Sequence, residues 1–236
     1  MAVVTRTEWN LPVKRQIRTD QLALPHKVKT VLTLPGPECL DIKQLLETSL
    51  IDTDSVGIAV EHFGTHWAKI SKYLAAAGLS NWQLRPCDLE EVNLLAGWAL
   101  DFANLDMCTA PSLGLYHWMR NTLTHSMEVG GQLAITLLRP HRAEPFMARI
   151  CRPDFFTSTN FLSGTAKMLE PVNADVSPTC IRLAAVVRLC MPTCVLMPRY
   201  FQPYRSDSGA AMLAARFEVV AKAPVTVPRI LTQRLG

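Results

Sequence analysis

Between residues 28 and 138, five short runs of apolar and β-branched residues are separated by stretches whose apolar positions fall three and four apart. Few folds can accommodate that alternation. A strand joins a parallel neighbour only through a crossover, and a helix is the usual one. The runs are Val28–Leu34, stopped by Pro35-Gly36-Pro37, then Ser55–Val60, Asn81–Arg85, Ala99–Asp106, and Gln132–Leu138 behind Gly130-Gly131. Helical spacing lies between them over Asp41–Glu47, Trp67–Ala77 (closed by Gly78), Leu89–Leu95 and Ser112–Met127. The expectation is a parallel sheet covered on both faces.

The last third breaks the alternation. After a Pro-, Ser- and Thr-rich stretch, Pro178–Cys190 reads as one more helix with a broad apolar face. Two long apolar runs follow, Thr193–Tyr204 and Ala210–Ala221, with only Arg205-Ser206-Asp207-Ser208-Gly209 between them. A strand, a turn containing glycine and a second strand make a hairpin, whose antiparallel pair needs no helix. Residues 1–27 mix Trp9, two prolines and a basic cluster from Lys14 to Arg18, and read as an N-terminal arm or short helix. The domain is expected over 28–222, with 223–236 as a C-terminal extension.

Composition removes several classes. At 49% hydrophobic and 19% charged residues the chain is too apolar for disorder. No run of about 18 apolar residues is present to span a membrane, and charged residues occupy the region where a signal peptide needs an apolar stretch. Seven cysteines, an odd number in a chain of 236 residues, argue for reduced thiols and a cytoplasmic setting rather than a disulfide framework. A net charge of +4 permits a polyanionic partner without requiring one.

Five β-α units closed by a helix and an antiparallel hairpin resemble the class I S-adenosylmethionine-dependent methyltransferases. The hairpin discriminates, because a nicotinamide-binding Rossmann domain finishes with a parallel strand. The resemblance implies an α/β, Rossmann-like, seven-stranded, mostly parallel sheet with helices on both faces. It also implies an S-adenosylmethionine site at the carboxyl ends of the first three strands. The first β-α turn there is Leu34-Pro35-Gly36-Pro37-Glu38, where Pro35 and Gly36 would face the cofactor. Only one glycine is present, where the family usually shows three, and a plain strand-end turn with Gly36 at positive φ is the alternative. Glu61, at the end of the second strand, matches the acid that accepts from the ribose hydroxyls, or else begins a surface loop. Asp88, after the third strand, matches the acid near the adenine amino group, or else caps a helix with Glu91.

The fourth run ends in Asn104-Leu105-Asp106-Met107-Cys108. In amino-directed methyltransferases this position holds an Asp or Asn before a Pro-Pro or Pro-Tyr pair. Asp106 is retained here and the aromatic is not. The acids Asp101 and Asp106 are also similar to the fourth-strand segment of tRNA guanine dimethyltransferases. The resemblance implies methyl transfer to a nucleic acid amine with Asp106 as the catalytic acceptor. The alternative is a degenerate member of the fold, without cofactor, serving as a binding or assembly module.

Other clusters carry less. His62 and His66 have an i, i+4 spacing that can hold zinc, but Gly64 intervenes and no third ligand is placed, so no metal is expected. Cys190 and Cys194 read as buried thiols. Tyr116, His117, Arg120 and His125 share one helix, whose Leu115, Trp118 and Met119 form a core stripe. Arg139, His141, Arg142, Arg149 and Arg152 follow the fifth strand as a basic rim that suits nucleic acid, and Arg199, Tyr200 and Arg205 interleave similarly in the hairpin.

Overall fold

The computed structural model describes residues 12–94, 98–107, 112–138, 159–173, 177–206 and 209–223, without the side chains of 159–161. The first half runs α1 (Pro12–Gln21), β1 (Thr30–Thr33), α2 (Leu40–Glu47), β2 (Val56–Val60), α3 (Gly64–Ala76) and β3 (Trp82–Arg85). A 3-10 turn over Leu89–Glu91 leads to β4 (Leu100–Asp106) and α4 (Leu113–Trp118). The second half is β5 (Met127–Leu138), α5 (Thr159–Leu169), α6 (Pro178–Cys190), β6 (Cys194–Arg205) and β7 (Ala211–Lys222). The strands make one sheet in the order β3-β2-β1-β4-β5-β7-β6. Neighbours from β3 to β5 pair in parallel, and β7 enters antiparallel between β5 and β6.

The two-residue period of the strands divides the core into two layers. Val31, Ala59, Phe102 and Ala134 face α2, α3 and the segment after α1, where Ile42, Leu45, Ile70, Leu74 and Leu22 cover them. Their sequence neighbours Leu32, Ile58, Ala103, Leu133 and Ile135 face the other way, onto Leu115, Trp118, Leu183 and Val187. Burial on both faces explains why β5 reads as a continuous apolar run. Edge strand β6 alternates buried and exposed positions instead.

Part of the stretch read as an arm or short helix is α1, and it packs on the sheet. Ile17 and Gln21 are buried. Gln21 Nε2 donates to the Ala215 carbonyl at 3.0 Å. Arg216 Nη1 donates back to the carbonyls of Gln21 and Ala23.

Three local readings differ from the structure. The helix expected over Leu89–Leu95 is a single 3-10 turn. Val92 and Leu94 are buried with Asn93 exposed between them, an extended period, and Trp118 Nε1 donates to the Val92 carbonyl at 2.8 Å, an acceptor a continuing helix would have used. The helix that starts with α4 passes through a π segment, Met119–Leu123, and ends at Ser126. Accordingly β5 starts at Met127 and runs through Gly130-Gly131, five residues ahead of the expected Gln132. A side chain at Gly131 would lie 2.9 Å from the Leu100 carbonyl, beside a register shift between β4 and β5. Finally, α5 occupies part of the stretch read only as Pro-, Ser- and Thr-rich.

Candidate functional site

At the carboxyl end of β1 the chain turns sharply into α2. Gly36 sits at φ 60° and Cys39 at φ 48°, both left-handed, and the Cys39 amide donates to the Gly36 carbonyl at 3.3 Å. The first position suits glycine, which pays no Cβ penalty there, whereas cysteine bears strain at the second. Cys39 is fully buried, which pushes its thiol up to about 11. It is a structural thiol.

Glu61 follows β2 immediately and is 9% exposed. Its Oε1 accepts from the Phe63 amide at 2.8 Å, and its Oε2 lies 2.9 Å from His66 Nδ1. Its own carbonyl accepts from Trp67 Nε1 at 2.8 Å. This local network fixes the carboxylate at the strand end. Asp88 stands at the N-cap of the 3-10 turn without making a cap hydrogen bond. Its Oδ1 lies 2.6 Å from His62 Nδ1 instead, and both side chains are more than half exposed. The two histidines therefore diverge onto two carboxylates, and among the described residues no group of three or more His, Cys, Asp and Glu could hold a metal.

Gly36, Glu61, Asp88 and Asp106, each from a different strand end, line one cleft of about 290 Å³. Small-molecule sites run from roughly 300 to 1,000 Å³, so this cleft is at the small end of the class. Its walls are mainly apolar, from Leu34, Val60, Phe63, Leu89 and Met107. Burial raises the thiol of Cys87, also in the wall, above its usual range. Pro35 faces a smaller recess next to Gly36, shared with Arg18 and Asp41.

Sequence reasoning missed a buried charge cluster against the same edge. Arg18 Nε of α1 bonds Asp41 Oδ1 at 2.7 Å, and Asn104 Nδ2 of β4 donates to Asp41 Oδ2 at 2.7 Å. Burial pushes the Asp41 carboxyl up to about 6, and Arg18 beside it opposes the rise. A polar Asn104 between the buried Ala103 and Leu105 of β4 was the available signal.

Asp101 does not share the site with Asp106. It lies at the opposite end of β4, where Oδ2 accepts from the amides of Lys29 and Thr30 at 2.8 and 3.1 Å and so fixes the start of β1. Arg120 bonds the Tyr116 hydroxyl on the α4 segment, and Arg199 pairs with Glu218 across the hairpin. Cys190 is buried and Cys194 half-buried, and both are free thiols. The arginines at 139, 142, 149 and 152, with His141, lie outside the described residues, as do Cys108 and Cys151. Among the described residues no helix is long and apolar enough to cross a membrane.

No protein-family model matches the sequence, and no curated protein matches it. Solved structures do match in fold. The N-methyltransferase NodS from Bradyrhizobium japonicum, in complex with S-adenosyl-L-homocysteine, aligns with a TM-score of 0.53 at 11% identity, over 89% of this chain and 89% of its own. TYW2 from P. horikoshii, in complex with MeSAdo, gives 0.53 at 8% identity over 88% of this chain and 63% of its own. Trm5b from Pyrococcus abyssi gives 0.52 at 10% identity over 88% and 49%. The chain thus spans about half of Trm5b and under two thirds of TYW2. It has the class I methyltransferase fold.

Proposed function

We propose that the chain binds S-adenosylmethionine in the cleft at the ends of β1 to β4 and transfers its methyl group to a nucleic acid amine at Asp106. The carrying observation is the convergence of Gly36, Glu61, Asp88 and Asp106 on that one cleft. Ligands of open α/β sheets bind in this crevice, outside the carboxyl ends of the strands.

The residues present suit such a cofactor. Gly36, with positive φ and no side chain, lets the ligand approach the backbone. Glu61 already holds two partners, yet a carboxylate has about four lone-pair sites, which leaves room for ribose hydroxyls. Asp88 could accept from an adenine amino group, and Val60, Phe63 and Leu89 supply apolar surface for a ring. Pro35 lines the adjoining recess rather than the cleft. When bound, the cofactor supplies an electrophilic methyl group on a sulfonium. Asp106 then accepts a hydrogen bond from the incoming amine and keeps the nitrogen lone pair aimed at that carbon.

One observation favours a second reading, a cofactor-free binding or assembly module: both Glu61 oxygens are engaged by their own chain. A pair of variants separates the two. In the enzyme, Glu61→Ala should abolish binding of S-adenosylhomocysteine in calorimetry with the fold intact. Asp106→Ala should leave that binding within about twofold and remove methyl transfer. Negligible effects of both substitutions would sink the enzyme reading.

A further inference from the structure

Glu61 and Asp88 each face a histidine from the entry to α3, and the two pairs differ in burial. Asp88 and His62 meet at 2.6 Å with both side chains more than half exposed, a setting in which an ion pair is screened and contributes little. Glu61 and His66 meet at 2.9 Å with side-chain exposures of only 9% and 11%. The second pair is therefore the one able to fix a carboxylate. The backbone of Glu61 is already held, since its amide donates to the Arg85 carbonyl at 3.1 Å and its carbonyl accepts from Trp67 Nε1 at 2.8 Å. At the side chain, Oε1 accepts from the Phe63 amide at 2.8 Å and Oε2 faces His66 Nδ1. An ionised carboxylate only accepts, so Nδ1 carries the proton between them.

The first turn of α3 sets the imidazole in place. The His66 amide donates to the Phe63 carbonyl at 2.9 Å, and the Phe63 ring packs on the imidazole with centroids 5.5 Å apart. Glu61 and His66 both line the cleft. A carboxylate held at one oxygen still turns about its last bond, whereas one held at both presents its remaining lone pairs in a fixed direction. Ordering such a group only when a ligand arrives costs affinity. We infer that His66 is a positioning residue for cofactor binding: its Nδ1–H holds the Glu61 carboxylate in the orientation that receives the two ribose hydroxyls. This rests on the cofactor reading above. It also reconciles that reading with the engagement of both Glu61 oxygens, because each oxygen keeps a lone pair to offer.

The test is calorimetric titration of the full chain with S-adenosylhomocysteine and with its 2′,3′-dideoxy counterpart, which lacks both ribose hydroxyls. Leucine and asparagine are close in size, and only asparagine offers an N–H near the place of Nδ1. His66→Leu should weaken S-adenosylhomocysteine binding about tenfold, and His66→Asn should restore it to within about threefold of the parent. With the dideoxy ligand, parent and His66→Leu should agree within about twofold, because the loss acts through the hydroxyls alone. Should that ligand bind too weakly to titrate, the contrast between the two variants decides alone. Circular dichroism and thermal denaturation check that each variant is folded, and His66→Ala replaces His66→Leu if the latter does not fold. Parent-like binding by the folded variant without a donor, a loss in His66→Asn equal to that in His66→Leu, or an equal loss with both ligands would overturn the inference. The last is what a purely structural histidine gives. A parent chain that binds neither ligand would instead overturn the cofactor reading, and the role of His66 with it.

Discussion

Asp41 shows how one side chain couples the edge of the sheet to its surroundings. Its carboxylate is buried between Arg18 and Asn104, a setting in which removing one partner of an ion pair costs about 3–5 kcal/mol. Desolvation nonetheless outweighs the partners, and the group titrates near 6 against an ordinary 3.8. The folded state therefore holds the proton more tightly than the unfolded state. Stability from this group is greatest below the unfolded value and declines as pH rises from about 4 to about 6. The loss by neutral pH is on the order of 2–3 kcal/mol. Asp41→Asn lacks this dependence. In urea denaturation, its stability relative to the parent should move in the variant's favour by that order between pH 4 and pH 7. A relative stability constant over that range would contradict the assignment. Of the cluster itself, the sequence shows Arg18 in a basic run and Asn104 at the end of the fourth run, but not Asp41 between them. Nothing local in Lys14 to Arg18 shows that Arg18 meets Asp41, because that contact depends on how α1 docks.

Elements with strong periodicity were legible, and those set by tertiary contacts were not. Strands β1 to β4 and the two hairpin strands lie where β-branched and apolar runs place them. The turn after β3 failed because Leu89, Val92 and Leu94 fit a helix in sequence, while Trp118 takes the Val92 carbonyl in space. Likewise, Gly130-Gly131 reads as punctuation although the two residues sit inside β5, at a register shift beside β4. At Gly57 of β2 the constraint is packing rather than conformation. It pairs with Trp82 of β3, and a Cβ there would lie 2.3 Å from the indole. Gly57→Ala should push that ring outward and destabilise the chain by about 1–3 kcal/mol, which for a domain of this size lowers the melting temperature by roughly 2–4 °C per kcal/mol. Trp82 is 7% exposed in the parent. An unchanged melting temperature and tryptophan emission would show that β2 and β3 are not in this register.

On the scale of the whole molecule, strand order decides the location of the site. A parallel sheet collects the ends of β1 to β4 on one edge, which brings together Gly36, Glu61, Asp88 and Asp106 from positions spread over seventy residues of sequence. That convergence is what the family resemblance implies for these four positions, whereas Pro35, the fifth, lines the adjoining recess instead. A further recess beside Asp106, under α1, was hidden, because it forms only when α1 and β6 close on the same edge. The most direct test of the cofactor cleft is calorimetric titration of the purified chain with S-adenosylhomocysteine, with thermal denaturation alongside. The account predicts binding in the micromolar range, about −8 kcal/mol, with a raised melting temperature and with both effects lost in Glu61→Ala. No heat and no thermal shift in the parent would contradict it, and would mean that the fold persists here without its cofactor.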